Sequence, residues 1–121
     1  RVPEGMMLTS FRREFPLGSV GRVVALDDAG RYAGILATSE AHAAPEEATR
    51  LSEVVHHRKT VLLPQMTIKE AVGLFETAES DELAVVDSPE GMKVIGVLTE
   101  QYALRRYSEE LEKRRRELSG E

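Results

Sequence analysis

The sequence predicts an α/β fold built from two similar halves, and three observations point to it. The first is self-similarity. A shift of 60 residues lays Phe15 on Phe75 and Val23-Val24-Ala25-Leu26-Asp27 on Leu83-Ala84-Val85-Val86-Asp87. The second is a helix signature at Thr67-Ile68-Lys69-Glu70, which fits a capping box, with Ile68, Ala71, Val72 and Phe75 forming one apolar stripe behind it. The third is a pair of short apolar runs, Leu83–Val86 and Val94–Leu98, which read as strands covered on both faces.

The second half reads most clearly. Thr60-Val61-Leu62-Leu63 is a β-prone run that Pro64 stops. A helix follows from Thr67, and Ser80-Asp81-Glu82 breaks its pattern before the two strands. Thr99 or Glu100 then opens a last helix containing Tyr102, Ala103, Leu104 and Tyr107. In the first half a short helix over Thr9–Phe15 is ended by Pro16 and Gly18. Strand, Gly-bearing turn and strand recur as Val23–Asp27, Asp28-Ala29-Gly30-Arg31 and Tyr32–Leu36. Ala41–Arg50, rich in Ala and Glu, is expected to be helical with Pro45 in a first turn, and Leu51–Val55 leads into the second half. The divisions expected are 1–44, 45–107 and a charged helical tail over 108–121. Each half alone would expose one face of a small sheet, so the two sheets should pack together.

Composition narrows the function classes. With 121 residues, 41% hydrophobic and 31% charged, the chain can bury a core beneath a highly charged surface. The net charge of −5, with no basic concentration on a central element, argues against a nucleic-acid grip. The lack of cysteine excludes disulfides, thiol catalysis and thiolate-metal sites. The longest stretch without Asp, Glu, Lys or Arg is Thr60–Ile68, short of the about 20 apolar residues a spanning helix needs. No signal peptide is visible, and a start at Arg1 suggests a piece of a larger protein.

Other candidate motifs have plainer readings. His56 and His57 are adjacent and His42 is distant, so they read as surface or interface residues rather than metal ligands. Gly18-Ser19-Val20-Gly21 lacks the Lys of a P-loop and reads as a turn. No acid/base pair or Ser–His–Asp set emerges, so no catalysis is expected. Ser108–Glu117 reads as a solvated helix with Glu109–Lys113 and Glu110–Arg114 pairs, although its basic residues could also touch an anionic membrane surface.

In order and spacing these pieces resemble the CBS-domain pair, or Bateman module, over about Met6 to Tyr107. The resemblance rests on Thr60–Leu63 before Pro64, the helix Thr67–Thr77, the two strands, and Gly96-Val97-Leu98-Thr99-Glu100-Gln101-Tyr102. That last stretch is similar to the family's Gly-apolar-apolar-Ser/Thr-x-x-Asp ending. Phe11-Arg12-Arg13-Glu14-Phe15-Pro16-Leu17-Gly18 and Leu104-Arg105-Arg106-Tyr107 further resemble the cytoplasmic regions of bacterial ClC-type chloride channels and transporters.

The resemblance implies tandem βαββα-like halves related by a pseudo-two-fold axis, a homodimer, and a cytoplasmic regulatory role beside an attached transmembrane domain. It requires no cofactor and implies ATP, ADP or AMP as candidate ligands. Carried onto this sequence, the nucleotide residues are Thr60, Val61, Thr99 and Tyr102, with Glu40 for a second site. Each half departs from the family pattern. Tyr102 stands at the acidic position of the second copy and Ala37 at the hydroxyl position of the first, where Glu40 keeps the acid. Thr99 equally suits a helix cap and Tyr102 a packed amphipathic side chain. The alternatives are a ligand-free dimerisation module, or regulation of a soluble enzyme or another transporter.

Overall fold

In the computed structural model, which describes residues 1–19 and 21–120, each half begins with an extended segment lying parallel to a central strand. In the first half this is β1 (Val2–Pro3), whose Val2 lies opposite Ala25 of β2 (Arg22–Leu26). In the second, Leu62 bridges Val85, with both partners shifted by 60. The first half continues through α1 (Leu8–Glu14), the antiparallel hairpin of β2 with β3 (Tyr32–Ala37), and α2 (Thr38–His42). The second continues through α3 (Ile68–Ala78), the hairpin of β4 (Glu82–Val86) with β5 (Val94–Thr99), and α4 (Glu100–Leu118). Both halves are therefore βαββα. Even the break in hairpin register repeats, between Ala25 and Leu26 and again between Val85 and Val86.

Local chemistry explains the element ends. Thr67 Oγ1 accepts from the Glu70 amide at 3.1 Å, and the Glu70 carboxylate accepts from the Thr67 amide at 3.0 Å. These bonds satisfy orphan donors at the start of α3 and hold the Glu70 carboxyl below its usual pKa. The equivalent residue at α1 is Met7, which supplies no side-chain cap. In the turns, Asp27 Oδ1 accepts from the amides of Ala29 and Arg31, and Asp87 Oδ1 from that of Lys93. The two aspartates that align in sequence thus close the same kind of turn.

Among the described residues, three apolar clusters form the core. One, around Phe11, Leu8, Leu36 and Leu51, belongs to the first half. Another, around Phe75, Leu62, Leu83 and Ala103, belongs to the second. The third joins the halves, with Val24, Tyr32 and Ile35 facing Ala84, Val86 and Val94. Polar contacts tie its margins: the Tyr32 amide donates to Met92 O at 2.8 Å, and Arg22 meets Asp81 at 2.5 Å.

Four expectations change. The Thr60–Leu63 run makes only the single bridge at Leu62, because the Thr60 amide is drawn into a turn with His57 O. Ala41–Arg50 is helical only to His42, since Pro45 has no N–H and its ring obstructs a helix arriving from Thr38. Glu53 then accepts from the Thr49 and Arg50 amides and starts a 3-10 turn at Leu51–Glu53. Third, β5 is not covered on both faces: Ile95 is 52% exposed and Val97 46%. Finally, the charged tail continues α4, so the 107/108 division falls inside one helix. Among the described residues its close ion pairs are Arg115 and Arg116 with Glu112 and Arg106 with Glu109, in place of the expected Glu109–Lys113 and Glu110–Arg114. The 44/45 division falls in the link between α2 and the 3-10 turn, and Val20 of the Gly18–Gly21 turn lies outside the described residues.

Candidate functional site

The segment between the halves shapes one wall of a cavity. Leu62 exchanges backbone bonds with β4, donating to Ala84 O at 2.9 Å and accepting from the Val86 amide at 3.0 Å. Extended alternation then turns Leu62 toward the helices, while Val61 and Leu63 pack against the cluster joining the halves. Beside them opens a cavity of about 510 Å³, lined by Lys59, Thr60, Val61, Leu63, Met66, Leu74, Pro89 and Met92. Its wall is mainly apolar, and Lys59 is its one charged lining residue. Such a space suits a flat apolar ring, with an anionic group near the ammonium.

Sequence reasoning placed Thr60 and Val61 here but missed Lys59, Leu63, Met66, Leu74, Pro89 and Met92. Lys59 was within reach, as the cation next to Thr60. Leu63 and Met66 precede α3, Leu74 lies on it, and Pro89 and Met92 share the β4–β5 turn; only the fold shows that they meet.

Thr99 and Tyr102 do not line this cavity. Thr99 caps α4, its Oγ1 accepting from the Tyr102 amide at 3.2 Å. Tyr102 is exposed, with the Arg105 guanidinium 5.5 Å from its ring centre. Thr99 instead borders a depression with Asp81, Glu82, Glu100, Gln101 and Leu104. Three carboxylates there oppose a phosphate. The Glu40 carboxylate is also engaged: one oxygen accepts from the Ala37 amide at 3.1 Å, and the other lies 2.5 Å from His56 Nε2. The structure thus unites Thr60 with Val61 and keeps Thr99, Tyr102 and Glu40 apart from them.

His42 ends α2, its Nε2 2.7 Å from Phe15 O, whereas His56 and His57 lie in the segment between the halves. Tyr32 donates its phenol proton to His57 O at 2.6 Å, and burial pushes that phenol well above its ordinary pKa. His57 sits in the left-handed region at φ 57°. Its imidazole pKa is lowered, first by desolvation and then by the neighbouring His56 and Arg22, against the opposing pull of Glu40. Among the described residues, no group of three or more His, Asp or Glu side chains could hold a metal ion. No described helix is long and apolar enough to cross a membrane.

Comparison with known proteins decides the family. The model described as CBS domain matches residues 38–109, more than half of the chain. The chain belongs to the CBS-domain family. The solved CBS pair of a putative Mg2+ transporter from Shewanella oneidensis MR-1 shares 19% identity at a TM-score of 0.68, covering 91% of this chain and 65% of that one. CBSX2, solved in complex with AMP, gives 17% identity, a TM-score of 0.69, and coverage of 89% and 86%. The cytosolic domain of the Mg2+ channel MgtE, solved in complex with ATP, gives 25%, a TM-score of 0.65, and coverage of 85% and 42%. This CBS pair therefore spans less than two thirds of the Shewanella chain and under half of the MgtE domain. No curated protein matches it.

Proposed function

We propose that this CBS pair is a non-catalytic regulatory module that takes an adenosine nucleotide in the Lys59–Met92 cavity. The observation that carries the reading is the position of that cavity. Its Val61 and Leu63 wall also packs between the two halves, so an occupant would act directly on their packing. The adenine would lie among Val61, Leu63 and Met92, and Lys59 would take the phosphate. A coupling of about 1–3 kcal/mol between occupancy and packing suffices for regulation. Relatives solved with AMP and ATP support the ligand class. Thr99 caps α4 and does not line this cavity.

The attached partner, in this reading, is the transmembrane domain of a ClC-like anion channel or transporter, with the module on the cytoplasmic side. Support comes from the resemblance at Phe11–Gly18 and Leu104–Tyr107, and from relatives that are parts of transporters for a different ion.

Isothermal titration with ATP, ADP and AMP tests the ligand. Saturable heat is expected with at least one of them. Lys59→Ala should weaken binding about tenfold, the loss of one charge-assisted contact, while Thr99→Ala should leave affinity unchanged. Flat titrations at millimolar nucleotide would leave a ligand-free dimerisation module, which a separate observation favours. Leu104, Leu111 and Leu118 are exposed along α4 at seven-residue spacing, a seam that a second copy could cover. Leu111→Glu should then shift sedimentation from dimer to monomer.

A further inference from the structure

The turns of the two hairpins meet, and there the first half holds the second. Arg31, at the end of the β2–β3 turn, donates through Nη2 to Glu90 O at 2.8 Å and through Nε to Gly91 O at 3.2 Å. The next residue, Tyr32, donates its amide to Met92 O at 2.8 Å. Two consecutive residues of the first half thus engage three consecutive carbonyls of the β4–β5 turn. Asp27 Oδ1 accepts from the Arg31 amide at 2.9 Å and so anchors the residue that reaches across. Met92 sits in the left-handed region at φ 51°, a conformation that costs a non-glycine residue energy and that its neighbours must maintain.

The same two residues hold two of the three stretches that line the Lys59–Met92 cavity, though neither lines it itself. Pro89 and Met92 belong to the turn that Arg31 and the Tyr32 amide engage. Lys59, Thr60 and Val61 follow His57, whose carbonyl accepts from the Tyr32 phenol at 2.6 Å and from the Thr60 amide at 3.3 Å. The Tyr32 ring is packed in the cluster joining the halves and only 5% exposed, so it has little freedom to move. One fixed residue therefore ties the Met92 side of the cavity, through its amide, to the Lys59 side, through its hydroxyl.

We propose that Arg31 and Tyr32 are positioning residues of the nucleotide site: they set the spacing between the turn that carries Pro89 and Met92 and the segment that carries Lys59. This rests on the nucleotide reading above. A ligand with its ring against Met92 and its phosphate at Lys59 needs both groups at one separation. Holding them there before the ligand arrives removes an ordering cost from binding. The linkage also runs the other way. An occupant that shifts the turn pulls on the Arg31 and Tyr32 bonds, so the β2–β3 hairpin of the first half senses occupancy of a cavity it does not line.

The test is calorimetric titration of the wild type, Arg31→Met, Arg31→Lys, Tyr32→Phe and Arg22→Met with ATP, ADP and AMP. Arg31→Met and Tyr32→Phe should each weaken binding about fivefold, the loss of a preset spacing. Arg31→Lys keeps a cationic donor for the turn and should recover most of that loss. Arg22→Met removes the Arg22–Asp81 pair, which also joins the halves but lies away from the cavity, and should leave affinity within about twofold. Arg31 is exposed, so its variants test the proposal even if Tyr32→Phe lowers the melting temperature. Wild-type affinity in Arg31→Met would overturn the proposal and leave the nucleotide reading standing. An equal loss in Arg22→Met would also overturn it, by showing that any loosening of the halves has the same effect. Flat wild-type titrations with all three nucleotides would overturn the nucleotide reading, and this proposal with it.

Discussion

The first half encloses its sheet, whereas the second leaves an edge of its sheet open. Both share the βαββα order, the parallel entry segment, the bulge and the aspartate turn. They differ in what lies over the last strand of each hairpin: Val55 and His56 on β3, and no equivalent segment among the described residues on β5. They differ also in helix caps and in the length of the closing helix, Thr38–His42 against Glu100–Leu118. The halves share a common frame and differ at their connections. In the proposed reading the second half holds the ligand cavity, and Arg31 and Tyr32 of the first half set its spacing.

The comparison can be tested by matched substitutions, the largest effects first. Phe11 and Phe75 are each almost wholly buried in the cluster of their own half. Phe11→Ala and Phe75→Ala should each cost about 3–5 kcal/mol in urea unfolding. Because the central cluster welds the halves together, either substitution should lower a single cooperative transition. Two separated transitions would show that the halves fold independently.

The glycine pair should split more sharply. Gly34→Val drives a side chain into Val55 and is expected to destabilise by about 1–3 kcal/mol. Gly96→Val should change thermal stability little. Equal effects would contradict the open edge. The caps come next. Thr67→Ala should cost about 1 kcal/mol, and Met7→Thr should stabilise by up to about the same amount, because α1 lacks the cap that α3 has.

The smallest effect concerns pH. The pKa of His57 is lower folded than its ordinary 6.5, so the unfolded chain takes up the proton first as pH falls. The stability tied to neutral His57 is complete above about 6.5 and declines below it. His57→Asn, which tolerates the left-handed backbone, should flatten that part of the stability curve between pH 7 and 5.5. An unchanged slope would place the titration elsewhere.

Much of this fold was legible because its signals are local. The capping box at Thr67–Glu70, the stripe through Phe75, the aspartate turns and the 60-residue repeat each depend on residues close in sequence or on direct copying. The candidate site was less so. Thr60 and Val61 do line the cavity, yet Thr99 and Tyr102 lie elsewhere, since a family motif records residue types and not where a side chain is already engaged. Glu40 shows the same limit, its carboxylate taken by Ala37 and His56.

By itself the sequence determined the α/β class, the duplicated halves and most helix and strand positions, because hydrophobic period, caps and turn residues act over a few residues. Only the tertiary structure decided that Lys59, Met66, Pro89 and Met92 meet around one cavity. It alone separated buried Ile35 from exposed Val97. Apolar runs that look alike in sequence acquire different surroundings from chain that arrives from far away. Burial is a property of that arrival, and no residue carries it alone.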